Sequence, residues 1–250
     1  MRTISAALVA FGLLINLCGA GRAEDKAEAQ KIIDKAIKAS GGEENLKKWK
    51  SLTWKSKGNI HIAGNPAPFT GEWAMTWPEK SRMSVDLDLG GQKFTFMLVY
   101  NSGKGWQSMN GNTEELAQDR LDEQKENAYA GGVARLLPLK DKAYTLSVVG
   151  ETKVDNKPVV GVKVSSKGHR DVTLYFDKAT SLLAKTETNV KDETGTEVKQ
   201  ETLFSDYKDV DGVKQPLKVT IKRDGMPYVE VENSDFKRAD KLDEKLFEKP

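Results

Sequence analysis

The chain has 250 residues, with 39 basic and 37 acidic side chains, a formal net charge of +2 and a single cysteine. This length corresponds to one domain that is large enough to bury a substantial core. A chain so close to neutral lacks the basic surface with which nucleic-acid binders contact phosphates, so we expect no nucleic-acid partner.

The first 23 residues have the pattern of a secretory signal peptide. Arg2 precedes an apolar run from Ile4 to Leu17, and Gly21 and Ala23 supply the small residues at −3 and −1 of a cleavage site. The run is too short to span a bilayer, and no later stretch is as apolar. Cleavage removes two arginines and the cysteine, which leaves 37 basic and 37 acidic residues and no thiol. We therefore predict a periplasmic or secreted protein without disulfides or thiol chemistry, and without a transmembrane segment in the mature chain.

An alternative treats Cys18 as the lipid-bearing first residue of an anchored lipoprotein. Such processing requires a small residue directly before the cysteine, whereas Leu17 is bulky. We therefore favour cleavage after Ala23, or after Ala20, over anchoring at Cys18.

Residues 24–50 are predicted to be helical, with an interruption at a glycine pair. Five apolar residues recur at helical spacing on one face, namely Ala29, Ile32, Ile33, Ala36 and Ile37. Gly41 and Gly42 end this helix. Residues 43–50 add a short second helix that turns Leu46 and Trp49 inward.

From residue 51 the apolar period changes to two, which is typical of strands with one face towards an apolar interior. Gly64-Asn65-Pro66 and Gly90-Gly91 provide turns between the alternating segments. Five strands are predicted in this half of the chain, at residues 51–62, 69–77, 83–89, 94–100 and around Trp106.

The alternation stops at Asn112, where a surface helix is predicted over residues 113–129. Asn112 is a suitable N-cap, and Glu115 follows three residues later. The apolar stripe of this helix is narrow and consists of Leu116, Ala117, Leu121 and Ala128. Gly131 and Gly132 provide its stop.

Strands resume after Pro138. Seven are predicted, at residues 143–149, 157–165, 171–177, 182–190, 196–207, 214–223 and 226–234. Their short connections, such as Asp155-Asn156 and Asp224-Gly225, indicate antiparallel pairing. A sheet of about twelve strands must curl into a barrel or a sandwich, and the helices then cover its concave side.

Neither catalytic nor metal-binding patterns occur in the sequence. His61 and His169 are isolated histidines, which are most often simply exposed polar residues. Asp209, Asp211 and Gly212 have the wrong spacing for a calcium loop and fit a hairpin turn. Nucleophile elbows, zinc helices and phosphate-binding glycine loops are absent from the sequence. We therefore predict no catalytic residue, no metal site and no cofactor.

The aromatic residues are concentrated in the first half of the chain, where all five tryptophans lie within residues 49–106. Nine large side chains on apolar strand faces are candidates for the wall of a hydrophobic cavity: Trp54, Phe69, Trp73, Met75, Trp77, Met83, Phe94, Phe96 and Leu98. A barrel of eight or more strands can enclose more space than side chains fill, and rigid aromatics with pliable methionines suit such a wall. The alternative is that these side chains form a close-packed core.

Two stretches of the second half resemble a known family. Residues 171–187 read strand, F-D-x-x-T turn, strand, and residues 204–216 read F-x-D-Y-x-x-x-D-G-x-x-x-P. This order resembles the outer-membrane lipoprotein-sorting superfamily, the LolA/LolB-like periplasmic proteins, over most of residues 25–250. The resemblance implies a single mainly β domain over residues 24–250, an antiparallel incomplete barrel of about 11–12 strands with N-terminal and mid-chain helices over a hydrophobic cavity. It transfers no site residue.

The functional expectation is the binding or carriage of a hydrophobic ligand, either a lipid or the acyl chains of a lipoprotein, without catalysis. Each methylene that leaves water for an apolar pocket contributes roughly 0.8 kcal/mol. The helices at residues 25–40 and 113–129 are candidate lids. The rival hypothesis is an envelope scaffold with a packed interior that binds other envelope proteins, and a hydrolase with unrecognised carboxylates is a third.

Overall fold

The computed structural model describes the backbone from Cys18 to Pro250 and the side chains from Asp25 onward. The apolar run at residues 4–17 and the side chain of Cys18 lie outside the described residues, so the signal peptide and its lipid-anchor alternative stay predictions. The first described helix runs across the predicted cleavage position after Ala23.

The described part of the chain begins with two helices, α1 (Cys18–Ala39) and α2 (Glu43–Lys47). Six strands follow, β1 (Ser51–Ile62), β2 (Asn65–Thr76), β3 (Lys80–Leu89), β4 (Gln92–Asn101), β5 (Lys104–Met109) and β6 (Asn112–Glu115). Helix α3 (Gln118–Ala134) and a 3₁₀ turn (Leu137–Lys140) lead to the second half. Its elements are β7 (Thr145–Val154), β8 (Lys157–Ser165), β9 (Val172–Asp177), β10 (Leu183–Lys191), β11 (Glu197–Val210), β12 (Val213–Arg223), β13 (Met226–Ala239) and a 3₁₀ turn (Glu244–Phe247).

All thirteen strands form one antiparallel sheet in the order β6-β5-β4-β3-β2-β1-β13-β12-β11-β10-β9-β8-β7. Neighbours in the sheet are consecutive in sequence except β1 and β13, which pair from Ser51 opposite Ala239 to Ile60 opposite Val229. Strands β6 and β7 remain as edges, so the sheet is an open half-barrel. The predicted antiparallel incomplete barrel is confirmed, with thirteen strands in place of about 11–12.

One face of the sheet is apolar across most of its width, and we call it the inner face. In the first half of the sheet, Trp54 lies opposite Trp73, Trp73 opposite Met83, and Met83 opposite Leu98. In the other direction the same face continues from β1 to β9 through Ile60, Val229, Ile221, Thr202, Thr186 and Leu174. The alternation read from the sequence therefore describes a single continuous surface.

Helices α1 and α3 cover the inner face mainly over the second half of the sheet, where α1 contacts β7 and α3 contacts β9 and β10. The largest buried cluster lies there and combines the predicted face of α1 with residues of the sheet and of α3. Its fully buried members include Ala29, Ile33, Ala36, Val133, Leu139, Val162, Val164, Val172, Leu174 and Phe176. The predicted helical start, with its stop at Gly41-Gly42, is confirmed.

A second, smaller core lies on the opposite face of β2, β4 and β5. Ala74, Val99 and Phe247 are buried there, and Trp106 packs against them. The side-chain amide of Asn101 donates to the Phe247 carbonyl at 3.1 Å. The C-terminal 3₁₀ turn therefore covers the outer side of the first half of the sheet, and Trp106, alone among the strand tryptophans, contributes to this outer core.

The helix predicted over residues 113–129 is wrong at both ends. Asn112 is not an N-cap: it begins β6, which pairs with β5 from Met109 opposite Asn112. The sequence signal for a strand here is the Asn110-Gly111 pair. These residues have φ values of 50° and 85° and form a tight hairpin turn between β5 and β6. Burial of Leu116 against the sheet keeps the chain extended to that point. Helix α3 begins at Gln118 and continues through the glycine pair to Ala134.

Helix α3 is tied to the β9–β10 region by ionic contacts. Both terminal nitrogens of Arg170 donate to the Glu123 carboxylate at 2.8 Å, and the Lys191 backbone N–H donates to it at 3.0 Å. Burial raises the pKa of Glu123, but these hydrogen bonds outweigh that effect and hold it below its usual value of 4.5. The bidentate geometry makes this the strongest polar attachment of α3 to the sheet.

Replacing Glu123 with glutamine is expected to lower the free energy of unfolding by roughly 2 kcal/mol at pH 7, because the half-buried Arg170 loses its countercharge. The folded-state pKa of Glu123 is depressed, so its stabilisation is complete above pH 4.5 and disappears as the pH falls through the folded-state value. Urea unfolding at several pH values measures this difference. The exposed Asp122→Asn change on the same helix is the control and should have a much smaller effect, and equal losses from both variants would contradict the assignment.

Candidate functional site

The register places all nine predicted cavity residues on or beside the inner face. Eight of them lie within β1 to β4, and Trp77 directly follows β2. Trp54 stacks on Trp73 with ring centroids 5.9 Å apart, and the centroids of the Trp73 and Phe69 rings are 6.5 Å apart. The Trp73 indole lies against Gly71, where an added Cβ would come within 2.4 Å of the ring. These residues form an aromatic floor on β1 and β2.

The remaining predicted residues extend this floor towards the β6 edge. Met83, Phe94, Phe96 and Leu98 are half-buried, in contrast to the fully buried residues below α1. The start of α3 touches this region, since Leu121 is buried against Tyr100 of β4. Helix α3 therefore crosses the inner side from the β4–β5 region to β9 and β10, and leaves part of the floor in contact with solvent.

A cavity of about 200 Å³ lies at one end of this arrangement, between the last turn of α3 and the sheet. Its wall is mostly apolar and includes Leu46, Trp49, Leu52, Trp77, Ala134, Leu136, Leu183, Phe204, Val213 and Pro216. Of the nine predicted residues, Trp77 lines this cavity directly. Met75 lies opposite Leu52, and Trp54 packs against Leu52, so the aromatic floor begins where the cavity ends.

Polar groups at the cavity are few. The Tyr207 hydroxyl donates to the Leu183 carbonyl at 2.7 Å, and burial raises the pKa of Tyr207 above its ordinary value. The Arg135 guanidinium lies 4.0 Å from the centre of the Trp77 ring and donates to the Trp49 carbonyl. The indole N–H of Trp77 is buried without an acceptor among the described residues.

Arg135 is the residue that sequence reasoning missed. It stands in the run Val-Ala-Arg-Leu-Leu at residues 133–137, where one cation is surrounded by apolar side chains. That pattern is the sequence signal for Arg135. An arginine among apolar side chains either extends its charged group to solvent or holds it against the interior, where a charge usually has a function. In the structure Arg135 is half-buried, and removal of its guanidinium from water lowers the pKa of Arg135 to about 10.

The two histidines are less isolated than the sequence indicates. His169 Nδ1 lies 2.8 Å from Glu126, and its ring stacks on Tyr129 with centroids 4.0 Å apart. His61 Nε2 lies 3.6 Å from Glu230 at the other end of the sheet. Among residues 25–250, no group of three or more potential metal ligands comes together. The His169 contacts add to the attachment of α3 near the β8–β9 connection.

Comparison with known proteins shows that the fold of this chain is similar to that of several solved structures. No family model matches the chain, and no curated protein matches it. Among solved structures, a LolA superfamily protein from Nitrosomonas europaea matches 88% of this chain and 97% of its own, at 13% identity and a TM-score of 0.57. A putative outer-membrane lipoprotein-sorting protein domain from Vibrio parahaemolyticus matches 89% and 97%, at 13% identity and a TM-score of 0.53.

A DUF1329 family protein from Desulfovibrio piger matches 88% of this chain and 97% of its own, at 12% identity and a TM-score of 0.54. In the part of the chain that the structure describes, none of the helices is long and apolar enough to cross a membrane. The resemblance that residues 171–187 and 204–216 indicate is confirmed at the level of the fold: the chain has the half-barrel architecture of LolA superfamily proteins.

Proposed function

We propose that this protein binds and carries an acyl-chain ligand, a lipid or the lipid part of a lipoprotein, in the periplasm and without catalysis. The observation that carries the proposal is the continuity between the cavity under α3 and the aromatic floor on β1 to β4. Together they offer a continuous apolar surface, which is partly enclosed where α3 lies over it and open to solvent along the floor. Ligand pockets for small molecules typically occupy about 300–1,000 Å³. The cavity of about 200 Å³ therefore holds one end of such a ligand, and the floor holds the rest.

The names of the similar solved structures support the same proposal, since two of them are described as LolA superfamily or lipoprotein-sorting proteins. Export across the inner membrane follows from the predicted signal peptide at residues 1–23. An acyl chain that lies along the inner face leaves water without any covalent step, so binding needs no catalytic residue.

The neutral fluorescent probe N-phenyl-1-naphthylamine tests this proposal. We expect it to bind the folded protein at micromolar concentration and to accept energy from Trp54, Trp73 and Trp77. Met75→Trp fills the junction between cavity and floor. It should abolish probe binding and change the free energy of unfolding by less than roughly 1 kcal/mol, because an open surface accommodates the added bulk.

The control for that experiment is Met226→Trp, since Met226 is exposed at the β12–β13 turn. This variant should retain both probe binding and stability. A close-packed interior gives the opposite pattern, with no probe bound by the parent protein and a loss of about 1–3 kcal/mol on Met75→Trp from overpacking.

That opposite pattern would favour the scaffold alternative, in which the same surface binds an envelope protein. One observation supports this alternative: Ile62 and Leu89, at the far rim of the inner face, are 44% and 38% exposed. Exposed apolar residues at a rim are common at protein interfaces. The carrier is the preferred function because a packed-interior scaffold does not account for the cavity.

A further inference from the structure

Arg135 is a half-buried cation without a countercharge among residues 25–250. Among the other half-buried arginines of the described chain, Arg170 and Arg223 pair with Glu123 and Glu193, whereas Arg82 on the outer side of β3 has no carboxylate partner. The Arg135 guanidinium has five donors and a single protein acceptor within the described chain, the Trp49 carbonyl. Removing a charge from water is costly unless it is paired, so the remaining donors are suited to an anionic partner.

A second unsatisfied donor lies beside it. The Trp77 indole N–H is buried and has no acceptor, and the Arg135 guanidinium stacks on the same ring. Gly131 of α3 lies next to this nitrogen, since a Cβ at that position would be in van der Waals contact with it at 4.0 Å. Leaving a buried N–H without an acceptor typically costs about as much as losing a hydrogen bond. The two donors belong to the same cavity wall.

None of the described residues that line the cavity is acidic, so the wall itself does not neutralise Arg135. The other charged lining residue is Lys214, which lies 3.5 Å from the Asp209 carboxylate, and the Tyr207 hydroxyl is already bonded to a carbonyl. Arg135 is therefore the unpaired charge of the cavity wall. The cavity under α3 therefore has a positive charge, that of Arg135, within a mostly apolar wall. A planar carboxylate carries one negative charge and two acceptor oxygens, which fit a guanidinium edge and a neighbouring N–H.

We propose that the cavity under α3 binds the carboxylate of a long-chain fatty acid, with Arg135 and the Trp77 N–H as its donors. The acyl chain then extends past Leu52 and over Trp54 and Trp73 towards the open side of the floor. This inference rests on the proposed carriage of acyl chains and specifies which end of the ligand lies in the cavity. It distinguishes an acid from a neutral lipid of the same length.

Calorimetric titration with dodecanoate and with dodecan-1-ol at pH 8 tests the inference, because these ligands share a chain and differ in the end group. We expect the protein to bind dodecanoate at least tenfold more tightly than dodecan-1-ol. Arg135→Gln should remove this preference and leave the affinity for dodecan-1-ol within about twofold. Trp77→Phe keeps the stacked ring and removes the N–H, so it should reduce the preference about threefold even if Arg135→Gln folds poorly.

Arg120→Gln, at an exposed position of the same helix, is the matched control and should retain the full preference. Equal affinity of the parent protein for dodecanoate and dodecan-1-ol would overturn the carboxylate site and leave acyl-chain carriage standing. Failure to bind either ligand would overturn both proposals. Sodium acetate at the same concentration should not compete, and competition by acetate would show that the anion binds without its chain and would overturn the proposed ligand class.

Discussion

Replacing Phe176 with alanine is expected to lower the free energy of unfolding by about 3–5 kcal/mol, which is a large part of the stability of an ordinary domain. Phe176 is 1% exposed, on the inner face of β9 below α1 and α3. The helices and the neighbouring strands fix its surroundings, so they cannot collapse into the space that the phenyl ring leaves. Thermal and urea unfolding of the purified variant measure the loss.

Phe94→Ala is the matched control, because Phe94 lies on the inner face of β4 and is only half-buried. A ring that keeps part of its surface in solvent buries less apolar area on folding, so we expect a loss of roughly 1–2 kcal/mol. If Phe94→Ala is as destabilising as Phe176→Ala, the floor near β4 is close-packed and is not open to solvent.

Gly41→Ala is expected to destabilise the protein by roughly 2–5 kcal/mol, because two separate costs coincide at this position. Gly41 has φ of +124°, which side chains rarely adopt, and an added Cβ would lie 2.2 Å from the Gly212 carbonyl oxygen. At this point the end of α1 is joined to the β11–β12 hairpin, where the Lys214 backbone N–H donates to the Ser40 carbonyl at 2.9 Å. The variant must therefore move one backbone away from the other.

The neighbouring Gly42 separates the two costs. Its φ is +83°, but nothing lies within 4 Å of an added Cβ. Its ψ of 159° places it in a region that is essentially restricted to glycine, so Gly42→Ala should show the conformational cost alone, about 1–3 kcal/mol. Similar unfolding midpoints for the two variants would mean that the approach of Gly41 to Gly212 contributes little.

Alternation along the chain was sufficient to predict most of the fold. Leu52, Trp54 and the apolar residues of the next three strands occupy the same face because a period of two leaves no other arrangement. The prediction is wrong at Asn112, where capping chemistry favours a helix but Asn110-Gly111 forms a hairpin turn that leads into β6. The helix-capping pattern and the turn pattern are of similar strength at this point. Burial of Leu116 against the sheet favours the strand.

The candidate site was less accessible to sequence reasoning. The nine predicted residues share a face, but whether that face is open depends on where α3 lies across it, which is decided by distant contacts such as Glu123 with Arg170. Arg135 illustrates the same limit. Its apolar neighbours in sequence were visible, whereas its position above Trp77 brings together residues 58 positions apart.

The pairing of β1 with β13 also has a consequence for how the chain folds. Strands β1–β6 and β7–β13 are two meanders, and within each one every strand pairs with its neighbour in sequence through short turns. Within the described sheet, β1 with β13 is the strand pair that joins them, and it brings together segments separated by most of the chain. Local hairpins close quickly, whereas distant segments must first overcome a larger loop entropy. We therefore expect the two meanders to form first during folding. The later pairing of β1 with β13 then joins them and creates the concave inner face.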